Sequence, residues 1–264
     1  MANLLTAFPR RCGQVLSNPR CWAPLVRCAW SKALGNSSTI VSVQGVKYRV
    51  PLERLGIGFW AAISGENYEP ELKAFLHKLA PGSVVVDLGA NIGAYTLRAA
   101  RAIGAESLVF AVEPIPSIFQ NLLENISINR FSNVVALNSA AGEASGVARL
   151  NLGASGYNAS SIVRPESGES IEVDVISMDD ILEKYDVKRL DLVKMDIEGA
   201  EAMAIRGMRS SLRRFRPLIL FENNDEAREE LRILGYEFGT YEADGRWRPN
   251  TSSFNLWARP KSGA

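Results

Sequence analysis

The feature that most constrains the fold is a strand, a glycine-containing loop and a helix in direct succession over residues 83–103. Residues 83–88 form an apolar run typical of a strand buried in the middle of a parallel sheet. Gly89 and Gly93 then allow a tight turn, and a helical pattern covers residues 94–103. This order predicts a ligand site at the loop, because the amides that begin a helix are available donors.

The same alternation of apolar runs and helical patterns continues to the C-terminal region, which is the signature of βαβ units. Five runs are predicted to be parallel strands: 83–88, 108–112, 133–139, 190–196 and 217–222. Two more runs, 236–242 and 253–259, are joined through Asp244-Gly245 and predict an antiparallel hairpin. We therefore predict an α/β fold with a Rossmann-like, seven-stranded, mostly parallel sheet, helices on both faces and a C-terminal antiparallel hairpin.

A smaller hairpin is predicted to be inserted after the third strand, formed by residues 147–152 and 170–176. The Gly- and Ser-rich segment 153–168 connects its strands, and we expect it to select the substrate together with the terminal hairpin. The side chains that would do so are Tyr157, Asn158, Arg164, Trp247 and Asn250.

Two regions are predicted along the chain: a basic N-terminal arm with short lead-in elements over residues 1–64, and the main domain over residues 65–260. Residues 1–52 contain seven Lys and Arg and no Asp or Glu. The rest of the chain therefore contains 23 Lys and Arg against 29 Asp and Glu. Three interpretations stay open: a poorly ordered arm, a peripheral contact with an anionic membrane surface or acidic partner, and a transit peptide. Trp22 and Trp30 beside Arg27 and Lys32 favour the membrane contact.

We expect a cytoplasmic protein, with the membrane surface as a further location, because the sequence has neither a secretory h-region nor the roughly 18 apolar residues that span a bilayer. Cys12, Cys21 and Cys28 match no disulfide or metal spacing and are predicted to be free thiols. His77, the one histidine, falls on the polar side of its helix and is predicted to be solvated.

An acidic residue ends the strand that follows the glycine loop. Glu113 lies about 20 residues beyond Gly93, where a carboxylate can accept hydrogen bonds from both hydroxyls of a ribose. The dinucleotide fingerprint GxGxxG fails, because Asn91 and Ala94 occupy two of its glycine positions. The residues thus predict a nucleoside site that would serve either NAD or S-adenosylmethionine.

A second acidic block follows the fourth strand, in the stretch Lys194-Met195-Asp196-Ile197-Glu198. Lys194 and Asp196 share one face of the strand, and Asp196 falls at the carboxyl edge where the cleft must open. Asp196 is the first candidate for a general base, followed by Glu198 and Lys194, with Glu222 as a further carboxylate. Glu198 would equally suit the start of the next helix through its dipole.

We predict no resident metal, since the sequence shows no metal-ligand spacing. A magnesium-assisted mechanism would need several oxygen ligands for the ion, and Asp196 together with Glu222 or Asn223 could supply some of them.

Several blocks in fixed order make the sequence resemble the FkbM-type methyltransferase family over residues 65–258. These blocks are Asn67-Tyr68-Glu69-Pro70, VVVDLGANIGAYTL at 84–97, Val112-Glu113-Pro114 with Asn129, LVKMDIEGAE at 192–201, and Glu222. The resemblance implies a class I methyltransferase fold and S-adenosylmethionine as cofactor. It also implies O-methylation of a hydroxyl on a sugar, glycolipid, glycan or polyketide-like metabolite, and no nucleic-acid partner.

The family pattern also implies a role for individual residues. Around the methionine portion of the cofactor it places Asp87, Gly89, Asn91 and Gly93. Glu113 would hold the ribose, and Ser139 and Ala140 would lie beside the adenine. Two alternatives stay open: an NAD-dependent Rossmann oxidoreductase, and a non-catalytic S-adenosylmethionine-binding scaffold.

Overall fold

The computed structural model describes residues 22–52, 70–152, 169–242, 245–249 and 253–261. An N-terminal unit consists of α1 (Trp22–Ala33), β1 (Ser38–Val43) and β2 (Val46–Pro51). The first half of the α/β domain contains α2 (Pro70–His77), β3 (Val84–Leu88), α3 (Thr96–Ile103), β4 (Leu108–Val112), α4 (Pro116–Asn129) and β5 (Val134–Leu137).

A small sheet and one helix follow: β6 (Ala140–Ala141), β7 (Gly146–Asn151), β8 (Ser170–Ile176) and α5 (Met178–Lys184). The second half begins with β9 (Leu192–Met195), α6 (Glu201–Arg206), α7 (Arg209–Phe215), β10 (Leu218–Glu222) and α8 (Asp225–Ile233). It ends with β11 (Tyr236–Tyr241), β12 (Trp247–Pro249) and β13 (Asn255–Pro260).

The main sheet has the order β12-β11-β13-β10-β9-β3-β4-β5. Its five crossover-linked strands, β3, β4, β5, β9 and β10, are parallel, which confirms the sequence prediction. β13 pairs antiparallel with both β10 and β11, so the predicted C-terminal hairpin is also confirmed. The predicted number of seven strands was too low by one in the described residues, because the short strand β12 pairs with the free edge of β11.

Strand order reverses between β3 and β9, which come from the two halves of the chain and lie side by side. At this switch point the carboxyl ends are aligned, since Leu88 pairs with both Val112 and Met195. Parallel strands leave a crevice at such a point, and ligands of open α/β sheets bind there. The arrangement of the strands alone therefore indicates that the candidate site lies at the carboxyl ends of β3 and β9.

Apolar side chains on both faces of the sheet form the core. On one face Val86, Phe110 and Val193 are fully buried against residues of α5 to α8. On the other face Val85 and Val109 pack with residues of α2 and α3. The central strands are covered twice, which explains why they are continuous apolar runs rather than alternating ones.

A separate three-stranded sheet has the order β6-β8-β7. β7 and β8 are antiparallel, with Val147 opposite Asp174, which confirms the predicted inserted hairpin. The two-residue strand β6 adds a parallel partner to β8. Residues 153–168, including Tyr157, Asn158 and Arg164, lie outside the described residues, and so does Asn250.

The N-terminal unit packs against the glycine loop and α4. Cys28, Tyr48 and other side chains of this unit share an apolar cluster with Ile92 of the loop and Leu97 of α3. Two asparagines of α4 hold β2: Asn129 exchanges two hydrogen bonds with the backbone of Lys47 (2.8 and 2.7 Å). The predicted boundary at residue 65 falls among residues 53–69, outside the described parts, and stays a prediction.

Asn125 joins this unit to the glycine loop. Its side chain is fully buried, and it accepts from the Arg49 amide (2.6 Å) while its Nδ2 donates to the Ile92 carbonyl (2.9 Å). One amide thus satisfies backbone groups of two segments that are distant in sequence.

The two single-residue predictions tested by this part of the structure are confirmed. Cys28 is a free, buried thiol, and burial raises its pKa to about 11. His77 is exposed at the end of α2. Cys12 and Cys21 lie outside the described residues. No helix in the described ranges is both long and apolar enough to cross a membrane.

We expect Asn125→Ala to lower the free energy of unfolding by about 2 kcal/mol, because two backbone groups lose their partner. Asn121→Ala, a change of the same chemistry at a half-buried position one turn earlier on α4, should stay within about 0.5 kcal/mol of the parent. Urea unfolding measures both variants. Equal losses in the two variants would contradict the bridging role of Asn125.

Candidate functional site

The loop between β3 and α3 is held in a left-handed backbone conformation at three positions. The φ angles of Gly89, Asn91 and Gly93 are 75°, 52° and 96°. The amides of Gly89 and Ala90 both donate to the carbonyl of Val112, at 3.0 and 2.9 Å. The loop therefore turns sharply at the end of β3 and begins the crevice between β3 and β4.

Gly89 must be glycine for a second reason, which is its contact with the neighbouring strand. A Cβ at this position would lie 2.0 Å from the carbonyl oxygen of Asp196. Asp196 in turn donates its amide to the carbonyl of Leu88 (3.1 Å). The two chain segments that leave β3 and β9 are thus in direct backbone contact at the switch point.

Glu113 lies beside the loop, at the end of β4, and only 4% of it is exposed. Its Oε2 accepts from the amide of Asn91 (2.9 Å) and its Oε1 from the amide of Ile115 (3.0 Å). Burial raises the pKa of this carboxyl to about 7, although both hydrogen bonds and Lys194 act in the opposite direction. Each carboxylate oxygen keeps a further lone pair, so the group can accept two more hydrogen bonds.

Asp87 and Lys194 form a buried ion pair under the loop. Asp87 is fully buried, and its Oδ2 accepts from the hydroxyl of Thr96 (2.6 Å). The Nζ of Lys194 lies 3.3 Å from Asp87 Oδ1 and donates to the carbonyls of Gly89 (2.8 Å) and Leu88 (3.3 Å). With 5% of the lysine exposed, its ammonium connects β9 to the turn of the glycine loop.

Asp196 is the most open of the acidic residues at this edge. Its side chain is 49% exposed, and its Oδ2 lies 3.8 Å from Lys194 Nζ. Glu198, two residues later, is half-buried and has a left-handed φ of 55°. Asp196 therefore combines an accessible carboxylate with a position next to the glycine loop.

Glu201 holds the segment after β9 in place. It is fully buried, and its Oε1 accepts from the amides of Ile197 (3.1 Å) and Gly199 (3.4 Å). Its Oε2 accepts from the Asn224 side chain (2.9 Å), which ties the segment to the start of α8. Burial raises the pKa of this carboxyl.

Ser139 and Ala140 lie just past β5 and are buried. Asn138, which precedes them, donates its side-chain amide to the carbonyls of Glu113 (2.8 Å) and Pro114 (3.1 Å). The connection after β5 is thereby fastened to the connection after β4. The sequence prediction missed Asn138, and its one available signal was a polar residue directly after a strand.

The predicted cofactor and catalytic positions thus converge at one edge of the sheet, at the ends of β3, β4, β5 and β9. Trp247 lies elsewhere: it is on β12, at the opposite end of the strand order from β5, and its ring packs edge-on against Tyr241 at 5.0 Å. Its role in substrate selection stays a prediction.

Strand order, the antiparallel β13 and the loop at the switch point together define a class I methyltransferase fold. The sequence profile of the methyltransferase FkbM domain matches residues 87–239, more than half of the chain. The chain therefore belongs to the FkbM methyltransferase family.

Individual relatives are distant in sequence. The chain is 27% identical over 176 residues to a hexuronic acid methyltransferase, AglP, of Haloferax volcanii, covering 67% of this chain and 70% of that protein. It is 29% identical over 161 residues to the 31-O-demethyl-FK506 methyltransferase FkbM of Streptomyces tacrolimicus, covering 50% of this chain and 61% of that protein. The match thus spans less than two thirds of the Streptomyces enzyme.

Among solved structures, an FkbM methyltransferase of Methylobacillus flagellatus is similar with a TM-score of 0.44 and 19% identity, over 76% of this chain and 53% of that chain. TYW2 of M. jannaschii, solved in complex with AdoMet, also has a TM-score of 0.44, with 17% identity over 84% of each chain. The assignment of the fold rests on the strand order described above.

We expect Gly89→Ala to destabilise the protein more than Gly82→Ala. Both glycines have a left-handed φ, of 75° and 81°, so both variants carry the backbone strain of alanine there, about 1 kcal/mol. Only at Gly89 would the methyl group meet the Asp196 carbonyl, whereas the space around Gly82 is open. Thermal unfolding of the two variants measures the difference, and equal losses would contradict the close contact between the loop and β9.

Proposed function

We propose that the protein is an S-adenosylmethionine-dependent methyltransferase that O-methylates a hydroxyl of a sugar, glycan, glycolipid or polyketide-like metabolite. The observation that carries the proposal is Glu113, a buried carboxylate anchored by two backbone amides beside a left-handed glycine loop. A ribose needs such an acceptor pair, and the family membership favours methyl transfer over NAD-dependent oxidation.

Residues at the ends of β3, β4 and β5 would hold the three parts of S-adenosylmethionine. Glu113 would accept from the ribose hydroxyls, Gly89, Asn91 and Gly93 would face the methionine portion, and Ser139 with Ala140 would lie beside the adenine. Asp87 would act from below the loop, since its carboxylate is enclosed by Thr96 and Lys194. When bound, S-adenosylmethionine supplies an electrophilic methyl group on a sulfonium centre.

For the transfer itself, the chain has to orient the acceptor oxygen and take up its proton. We assign this task to Asp196, because its carboxylate is accessible and lies beside the loop. Glu198 is the second candidate. Lys194 is better suited to positioning, because its ammonium already serves the carbonyls of Gly89 and Leu88 and the carboxylate of Asp87.

The acceptor class is supported by the relatives' names, which specify a hexuronic acid and 31-O-demethyl-FK506. The test is transfer of labelled methyl from S-adenosylmethionine to glycan, glycolipid and uronic acid fractions and to hydroxylated polyketides. Label in an acceptor supports the proposal. Binding without transfer to any acceptor would assign a scaffold role, and binding of NADH in place of S-adenosylmethionine would assign the oxidoreductase alternative.

The affinity for S-adenosylmethionine should depend on pH through Glu113. Its pKa in the free protein is about 7, and the ionised form is the better acceptor for two hydroxyls. Affinity should therefore rise by roughly tenfold between about pH 6 and pH 8 and then level off. Glu113→Gln should bind more weakly and lose this dependence, as measured by calorimetry.

The stability of the free protein provides an independent check on the same group. A carboxyl whose pKa is raised on folding destabilises the folded state once it ionises. This loss of unfolding free energy is absent below about pH 4 and complete above about pH 7. Relative to Glu113→Gln, the parent should therefore lose stability as pH rises through this window, by roughly 3 kcal/mol in all. A difference that stays constant with pH would contradict the raised pKa.

Asp196→Asn should keep the affinity for S-adenosylmethionine within about twofold while lowering kcat by at least about a hundredfold, because the amide cannot take up a proton. Asp186→Asn is the matched control, since Asp186 is an exposed aspartate that forms a surface ion pair with Lys188. It should leave both quantities unchanged. Full turnover by Asp196→Asn would exclude Asp196 as the base and transfer the assignment to Glu198.

A further inference from the structure

The N-terminal helix α1 has two opposite faces. Pro24 and Cys28, one turn apart, are buried, and Cys28 belongs to the apolar cluster that contains β1, β2 and Ile92. On the other face three large apolar side chains recur at every fourth residue and are exposed, and Leu34, directly after the helix, continues the row. These four are Trp22 (59% exposed), Val26 (65%), Trp30 (69%) and Leu34 (65%), and we call them the outer stripe.

Single exposed apolar residues are ordinary on a protein surface, but a contiguous row is not. Residues four apart on a helix touch one another, so the outer stripe is one continuous apolar strip along α1. Other strongly exposed apolar side chains in the described residues, such as Val147, Ile233 and Phe254, lie on separate elements. The strip therefore indicates a surface that is covered when it functions.

The charges beside the strip indicate what covers it. An α-helix advances about 100° per residue, so the exposed Arg27 lies beside the strip, about 60° from Trp30. Lys32 is also exposed, but it lies four residues after Cys28, in the row of the buried face. Residues 22–52 carry no acidic side chain at all. Arg49 of β2 is paired with Glu124 of α4 (3.0 Å). The other exposed positive charges of the unit are Arg27, Lys32 and Lys47.

This charge pattern argues against a second copy of the chain as the occupant. A twofold contact would place the same basic residues opposite each other, and the unit supplies no acid to compensate them. An anionic lipid surface fits both properties, because tryptophan suits the boundary between headgroups and acyl chains and a flanking arginine reaches the phosphates.

We propose that α1 is a peripheral docking helix for anionic membranes, lying in the plane of the headgroups with the outer stripe inserted and Arg27 on lipid phosphates. The proposal is independent of the proposed function, because the strip points away from the cluster that α1 shares with the glycine loop. It places the protein at a membrane surface whatever its acceptor is.

The test is flotation of the full-length protein with vesicles of pure phosphatidylcholine and with vesicles of equal parts phosphatidylcholine and phosphatidylserine. The protein should float with the anionic vesicles only, and less so as salt rises. Val26→Ser with Trp30→Ser should lower binding by at least about tenfold. Arg27→Glu should lower it by at least about tenfold.

Ile233→Ser is the matched control, since it removes an equally exposed apolar side chain on α8, and it should float like the parent. Unchanged binding of S-adenosylmethionine by the α1 variants shows that they are folded, and circular dichroism shows it if that ligand fails to bind. Absent flotation of the parent, or flotation unaffected by the α1 variants, overturns the proposal. A concentration-dependent dimer that Trp30→Ser abolishes, without flotation, would assign the strip to a second copy instead.

Discussion

The buried ammonium of Lys194 is the interaction on which the candidate site depends. A charge enclosed to this degree is costly unless it is paired and hydrogen-bonded, and Lys194 has the carboxylate of Asp87 and the carbonyl oxygens of Leu88 and Gly89 as partners. All of these partners belong to the end of β3, whereas the lysine belongs to β9. The pair therefore fixes the two strands that diverge at the switch point. Gly89 adds a backbone contact with Asp196 to the same junction.

Glu113 holds the loop from the other side under different electrostatic conditions. Asp87 has an ammonium within 3.3 Å, while Glu113 has backbone amides and a more distant lysine, and burial raises its pKa to about 7. Additional hydrogen-bond donors would therefore stabilise the carboxylate of Glu113 more than that of Asp87, which already has an ammonium beside it. A pair of ribose hydroxyls would supply them, so the raised pKa and the proposed ligand have one physical explanation.

The sequence was sufficient for the five parallel strands, because strands covered on both faces are continuous apolar runs, as in residues 84–88. It also predicted that Glu113 lies next to the loop, because neighbouring parallel strands end at the same edge. It could not predict β12, since a three-residue edge strand has no periodicity of its own. Nor could it show that Asn125 serves the Ile92 carbonyl, because that contact depends on how α4 packs.

The N-terminal unit shows what charge composition does not reveal about packing. A stretch with many basic and no acidic residues suggests an arm, yet along β2 the exposed Lys47 and Arg49 alternate with buried Val46, Tyr48 and Val50. The charges of such a strand are on its exposed side chains, whereas its packing depends on the buried ones. The turn Gln44-Gly45 between two alternating runs was the signal for the hairpin. Because the two sets of side chains point in opposite directions, Lys47 and Arg49 stay exposed while the inward side chains support Ile92 and the glycine loop.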